Sequence, residues 1–339
     1  MRAVVYTAPG ELELRDVPEP VAGEREVVVD VAYTGICGTD LLVWHGGMTR
    51  VQPPVVLGHE FVGRLAAATA ELPAGAPVAV EPLLECGDCW ACRNGCRHVC
   101  RRLRLIGVDV DGGAAARVTV PVDRLHPLPA DADLRTFAIT EPAAVAVHMV
   151  RRAGVAEGEK VAVVGGGPIG ALVASVCRAR GIADVIVFEP HEDRARLLRG
   201  LGLDVVDPTG DDDALTTYVA ERAGGEGFDA TFEVSGHPAG IAVAPEVTRV
   251  RGTVLVGGLF HEAPRVPLPT VTLREQTLVG ARVYTPADVR DAIDLLAAGS
   301  LPAADLITRE VTVEDAIDAG YRHLYGGRSD MKVLIRHPL

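Results

Sequence analysis

Val161-Ala162-Val163-Val164-Gly165-Gly166-Gly167-Pro168-Ile169-Gly170 decides the fold. It is an apolar run, then G-x-G-x-x-G, then a helical stretch reading from Ile169 to Arg180 and stopping at Gly181. A second apolar run, 184–189, ends on Glu189, nineteen residues past Gly170. Glycine-rich turns are common, and one that binds nothing is the rival reading. Set between a strand and a helix, with an acidic residue closing the next strand, the motif is the fingerprint of a dinucleotide site. Gly165 permits the tight turn, Gly167 lets the backbone approach a pyrophosphate, and Gly170 allows helix and strand to pack closely. The helix start at Pro168 and Ile169 offers N–H groups and the positive end of a dipole to phosphate. Glu189 can accept hydrogen bonds from both ribose hydroxyls and would repel a 2′-phosphate. NAD is therefore expected over NADP, although Arg194 and Arg196 downstream would soften that repulsion.

Outward from this stretch, the runs 228–236 and 252–258 repeat the pattern, with helices between them. Continuous apolar strands of this kind suit a parallel sheet covered on both faces. Before about residue 140 the grammar differs. Val4-Val5-Tyr6, Glu11 to Arg15 and Glu26 to Tyr33 are short runs punctuated by Pro and Gly, the signature of a β-rich domain. After about residue 280 the pattern is mixed. A helix is expected from Asp288 to Ala298, stopping at Gly299, a second from Val313 to Tyr325 with Thr312 as N-cap, and a strand at 331–336. A chain of 339 residues exceeds one core, so two domains are expected.

Hydrophobic residues make up 48% and aromatics only 4%, so Ala, Val, Leu and Ile must fill the core. The net charge of -13 repels phosphate backbones and anionic lipid, which argues against nucleic acid or a membrane as partner. No apolar run approaches the roughly 18 residues that span a bilayer. The start MRAVVYTAPG does not read as a signal peptide, so the cytoplasm is the expected location.

Five of the seven cysteines fall between Cys86 and Cys100. In a long chain without a leader, such clustering reads as metal binding rather than disulfides. Cys86, Cys89, Cys92 and Cys100 can close a tetrahedron around Zn²⁺, leaving no open position, so this site is structural. Cys96 lies inside the same run as a competitor, and His98 is a weaker one. Unpaired thiols or a redox pair are the alternative.

Three further segments carry chemistry in combination: Cys37-Gly38-Thr39-Asp40, Gly58-His59-Glu60 and Glu141-Pro142. Each alone is bland. With the cysteine lobe and the glycine turn, in this order, they resemble the zinc-dependent medium-chain alcohol dehydrogenase family over essentially the whole chain. Glu141 points to the sorbitol, polyol and threonine dehydrogenase subgroup. The resemblance implies an α/β protein with a GroES-like β-rich catalytic domain, residues 1–145 and 280–339 with the structural zinc lobe at 86–100. A Rossmann NAD-binding domain would occupy residues 146–279.

By the same resemblance, Cys37 and His59 are catalytic zinc ligands, Glu60 can bind the metal, and Glu141 is a third protein position, direct or through water. Asp40 would orient His59. Thr39 would take the alcohol proton, but the histidine that often follows in a relay is here Leu42, which leaves His45 or solvent to continue it. Ser235-Gly236 and Val256-Gly257-Gly258 would flank the cofactor. Trp44 and Tyr284 would border the substrate.

The expected reaction is hydride transfer between NAD(H) and a secondary alcohol or ketone of a small polar substrate, a polyol, cyclitol or amino-polyol. L-Threonine or a vicinal diol is the alternative, and a non-catalytic zinc-binding protein of the same fold is the non-enzyme reading. A carboxylate substrate would want a fixed cation near the zinc, and the sequence does not place one. A homodimer or homotetramer is the family's tendency.

Overall fold

The computed structural model describes residues 1–209, 212–327 and 330–338, which form two compact units. The first comprises Met1–Glu141, Thr285–Ala298 and Leu306–Leu339; the second comprises Pro142–Tyr284 and Gly299–Asp305. These boundaries fall a few residues from those read in the sequence. Helix α2 (Thr140–Ala153) carries the chain across the first boundary, and Gly299–Asp305 belongs with the second unit.

The first unit is built around a seven-stranded sheet. Its central strand, Glu26–Ile36, turns Val27, Val29 and Val31 inward at alternate positions, as a pleated strand must. They meet Phe61, Leu65, Val78, Val118 and Val120, and each such fully buried side chain contributes about 1.5–3 kcal/mol. Glu60–Leu65 runs antiparallel beside the central strand with Glu60 opposite Gly35. Lys332–Arg336 runs antiparallel on its other side with Val333 opposite Ile36. The end of one strand and the starts of two others therefore meet at a single edge. That register brings together residues 37, 59, 60 and 332. Helix α1 (Gly38–Trp44) leaves the same edge.

Among the described residues the second unit carries six parallel strands: β1 (Lys160–Val164), β2 (Asp184–Phe188), β3 (Asp204–Val206), β4 (Phe228–Glu233), β5 (Thr248–Val256) and β6 (Thr277–Gly280). Their spatial order is β3-β2-β1-β4-β5-β6, a doubly wound sheet whose order reverses between β1 and β4. Ligands bind at such a switch point, beyond the carboxyl ends of the strands. Helix α3 (Pro168–Ala179) follows β1 as the glycine turn predicts. β4 stops three residues short of Gly236, which adopts φ +63 and so leaves the ladder.

The C-terminal helix departs from its sequence reading. Thr312 ends a strand, Ile307–Thr312, and its hydroxyl accepts the Asp315 N–H at 3.3 Å and donates to Asp315 Oδ2 at 3.0 Å, so it caps the chain as expected, but a turn over 313–315 follows before the helix. Helix begins at Ala316 and runs to Arg322 with the wide i→i+5 winding, then continues as His323–Gly326. Gly320 lies against Ile36, where a Cβ would come within 2.7 Å of Cδ1, and the winding turns Tyr321 fully inward. No helix of the described residues is long and apolar enough to cross a membrane.

Candidate functional site

The Cys37 thiol, a His59 ring nitrogen and a Glu60 carboxylate oxygen lie within 4.8 Å of one another. One fully buried carboxylate organises the first two. Asp40 Oδ2 accepts the Cys37 backbone N–H at 2.8 Å, and Asp40 Oδ1 lies 3.2 Å from His59 Nδ1. That pairing fixes the imidazole and leaves Nε2 for a metal. Burial alone would push the His59 pKa down, but Asp40 and then Cys37 raise it well above the usual range. Thiolate, imidazole and carboxylate are the donor types that a catalytic Zn²⁺ takes from protein while keeping a position open.

Glu60 has a second claimant that the sequence reading missed. Its Oε2 accepts from Lys332 Nζ at 2.5 Å, with side chains only 1% and 5% exposed. Lys332 also reaches the Ile36 carbonyl at 3.4 Å. Burial works against its charge, but Glu60 and Cys37 outweigh that and raise its pKa. The bare Gly35 makes room, since a Cβ there would lie 2.2 Å from Glu60 Oε2. Lys332 is one of only two lysines in a chain whose other basic residues are arginine, and that rarity was the available signal.

Glu141 stands outside the three-residue group, at the first turn of α2, although its charge still reaches Lys332. Tyr321 is a further missed residue. It is fully buried, its hydroxyl has no hydrogen-bond partner among the described residues, and burial together with Asp40, Cys37 and Glu60 raises its pKa well above the ordinary tyrosine value.

Thr39 sits half-buried in the first turn of α1. His45, six residues on, would be about 9 Å further along a helix axis and on another face. The structure stacks it on Tyr325, ring centroids 4.0 Å apart, and beside Trp44 at 4.5 Å. His45 is therefore part of an aromatic cluster rather than the next station after Thr39. Trp44 is buried, and its indole N–H has no partner among the described residues. Tyr284 is fully buried in the second unit.

In the lobe, the Cys86, Cys89, Cys92 and Cys100 thiols converge, with neighbouring sulfurs 3.4, 3.5, 3.8 and 3.9 Å apart. Four sulfurs at about 2.3 Å from a tetrahedral Zn²⁺ would be roughly 3.8 Å apart, so the cage fits. The backbone N–H groups of Cys86 and Arg102 point at Cys100 Sγ, at 3.4 and 3.3 Å. Backbone N–H groups, chiefly that of Cys92, also draw the Cys89 thiol down to about 6. Cys96 and His98 stay outside the cage, and the Cys96 thiol turns to the Asn94 carbonyl at 3.7 Å. Arg124 fastens the base of the lobe by pairing with Glu85 at 2.8 Å and with Glu81, which follows a strand of the seven-stranded sheet, at 3.2 Å.

In the second unit, Gly165 adopts φ +106 and packs against Ser235, where a Cβ would be 2.8 Å from its Cα. Gly170 approaches the Gly165 carbonyl so closely that any Cβ would overlap it. Gly167 is the N-cap of α3, and no side chain among the described residues caps it, so no side-chain acceptor occupies the helix start beside Ile169. Glu189 is buried at the end of β2, and its two oxygens accept from Gly166 N at 2.9 Å and His191 N at 2.8 Å. Its carboxylate is thus fixed in place before any ribose arrives. The Arg194 guanidinium lies 3.6 Å from where a Gly167 Cβ would be. Ser235, Val256 and Gly257 all sit at the carboxyl ends of β4 and β5.

Comparison with known proteins agrees with both units. Residues 23–130 match the alcohol dehydrogenase GroES-like domain, and residues 168–298 match the zinc-binding dehydrogenase family. A 2-dehydro-3-deoxy-L-galactonate 5-dehydrogenase from Pseudoalteromonas atlantica is 38% identical over 93% of this chain and 92% of its own.

The chain belongs to the zinc-dependent medium-chain alcohol dehydrogenase family.

An L-galactonate-5-dehydrogenase of Escherichia coli is 31% identical over 99% of this chain and 98% of its own. Among solved structures, a zinc-binding dehydrogenase from Sinorhizobium meliloti bound to NADP is 31% identical, covers 99% of each chain and has a TM-score of 0.91. In this medium-chain dehydrogenase, as in its polyol-type relatives, the chemistry is oxidation and reduction at a CH–OH group with zinc and a nicotinamide nucleotide.

Proposed function

We propose that this enzyme oxidises a secondary hydroxyl of a polyhydroxylated small molecule, a polyol or sugar acid, with NAD. The observation that carries this reading is the buried Cys37–His59–Glu60 group held by Asp40. Both galactonate-type relatives are named for a reaction at position 5 of a sugar acid, which supports that substrate class.

Cys37 and His59 would hold the catalytic zinc, with Glu60 or Glu141 completing it directly or through water. The metal supplies Lewis acidity that lowers the pKa of a bound alcohol. Asp40 keeps the imidazole in the tautomer that ligates. Thr39 takes the alcohol proton, and with Leu42 next in line the proton passes to solvent. Lys332 pairs with Glu60 and so holds that carboxylate back. Cys86, Cys89, Cys92 and Cys100 would hold a structural zinc.

Gly165, Gly167, Pro168, Ile169 and Gly170 would receive the pyrophosphate, with Ser235, Val256 and Gly257 bordering the other half of the nucleotide. Glu189 favours NAD, and Arg194 is the residue through which NADP would be tolerated. The exposed edge strand β6 (Thr277–Gly280) would carry self-association into a dimer or tetramer, and the cytoplasm is the proposed location.

The test is a panel of hexonates, polyols, cyclitols, amino-alcohols, vicinal diols and L-threonine, each with NAD⁺ and with NADP⁺, read as reduced nicotinamide formed. Turnover of a hexonate or polyol with NAD⁺ is expected. Turnover confined to threonine or a simple diol would move the substrate class. No turnover by zinc-loaded protein would favour a non-catalytic role.

A further inference from the structure

Glu233 closes β4 and is fully buried, and it lies outside the glycine turn, the cysteine lobe and the candidate catalytic segments. Its Oε1 accepts three hydrogen bonds: from Ser235 N at 3.0 Å, Ser235 Oγ at 2.5 Å and Gly236 N at 3.1 Å. Its backbone carbonyl accepts two more, from Gly257 N and Gly258 N, both at 2.9 Å. One residue therefore ties the loop after β4 to the loop after β5. The glycines around it are fitted to the carboxylate. A Cβ on Gly258 would lie 2.4 Å from Oε2, and one on Gly240 would lie 2.7 Å from Oε1. Gly165 of the glycine turn packs on Ser235 from the other side. Oε2 itself is buried with no hydrogen-bond partner among the described residues. Burial raises the Glu233 pKa, while Ser235 and Gly236 pull it back.

A buried carboxylate with an unsatisfied oxygen is costly to stability, and each such group calls for an explanation. Its place in the sheet supplies one. A doubly wound sheet binds one mononucleotide on each side of its switch point. Glu189 at the end of β2 marks the adenosine side. The loops after β4 and β5 lie on the opposite side, where the nicotinamide mononucleotide belongs.

We propose that Glu233 is the positioning residue for the nicotinamide half of the nucleotide site, fastening the Ser235-Gly236 and Gly257-Gly258 loops into one wall. This rests on the reading of the enzyme as nicotinamide-dependent, but not on the identity of the alcohol.

The test compares NADH with ADP-ribose, which lacks the nicotinamide ring, by titration calorimetry on the zinc-loaded enzyme. Glu233→Ala is expected to weaken NADH by about tenfold or more, at least ~1.4 kcal/mol, and to leave ADP-ribose within about twofold. Glu233→Gln keeps an acceptor for the Ser235 and Gly236 N–H groups and should restore most of the NADH affinity. If Glu233→Ala does not fold, Glu233→Asp, which keeps the charge but withdraws the carboxylate by one methylene from Ser235 and Gly236, is expected to give the same selective loss of NADH affinity. Equal loss of both ligands, loss of neither, or failure of the glutamine to restore NADH binding would overturn the proposal. Wild-type enzyme that binds neither nucleotide would overturn it together with the dehydrogenase reading. Wild-type enzyme that binds both nucleotides but turns over none of the panel would leave this inference standing alone.

Discussion

Lys332 and Glu60 form an ion pair that water barely screens, and its consequences are testable. Removing one partner of such a pair strands the other charge, at a cost of about 3–5 kcal/mol, whereas replacing both is often neutral. In chelator-treated protein, Lys332→Met should lower stability to urea by about that amount, and Lys332→Met/Glu60→Gln should recover most of it. Restoring zinc should shrink the loss, because Glu60 regains a counter-charge. A single mutant as stable as wild type without zinc would contradict the pairing. His337 gives a second prediction. Burial holds its pKa down to about 4, so folding keeps the ring neutral. The unfolded chain takes up a proton near pH 6.5 and the folded one only near 4. The stability contributed by neutral His337 is therefore present above pH 6.5 and is lost as pH falls towards 4, by about 3 kcal/mol. His337→Gln should flatten the stability–pH curve in that window, and an unchanged slope would refute it. Cys37, His59 and Asp40 were legible in the sequence because they lie close to Gly38 and Gly58 in short motifs. Lys332 was not, because it reaches Glu60 only through strand pairing between distant parts of the chain.

Among the elements, the edge where three strands meet decides whether the site forms. Gly35 faces Glu60 across the ladder, and its missing Cβ is the space the carboxylate occupies. Gly35→Ala should displace Glu60 and reduce zinc bound by the Cys37 group, measured as metal content, while the lobe keeps its own zinc. The lobe makes the converse prediction. Cys89→Ser should lower the melting temperature by more than it lowers turnover per folded molecule, and reduced turnover at unchanged stability would deny the lobe a structural role. β1 and β2 were readable as apolar runs, and β4 and β5, which carry Asp229 and Thr231 or Arg249 and Arg251, by the glycines that follow them at Gly236 and Gly257. The last helix was not. Val313 to Tyr325 has helical periodicity, but periodicity cannot reveal that Thr312 finishes a strand or that Gly320 must touch Ile36, which the wider winding accommodates. Glu233 was hidden for a similar reason: it looks like the polar end of a strand, and only its burial and its five hydrogen bonds show its place.

At the scale of the whole molecule, one chain would carry two zinc ions of different kind. Four thiols make a closed cage in the lobe, while a thiol, an imidazole and a carboxylate make an open one at the strand edge. The nucleotide unit has its own core, in which Phe188 and Phe228 meet edge to face, and the residues of both candidate metal sites belong to the other unit. Loss of the catalytic zinc should therefore leave nucleotide binding intact. Metal content by inductively coupled plasma mass spectrometry, on wild type and Cys37→Ser purified in parallel, tests this most directly. Two zinc per wild-type chain, one per Cys37→Ser chain, and undiminished NADH binding by both are the predicted results. A single zinc in the wild type, or two in the variant, would contradict the assignment of a catalytic metal to Cys37 and His59.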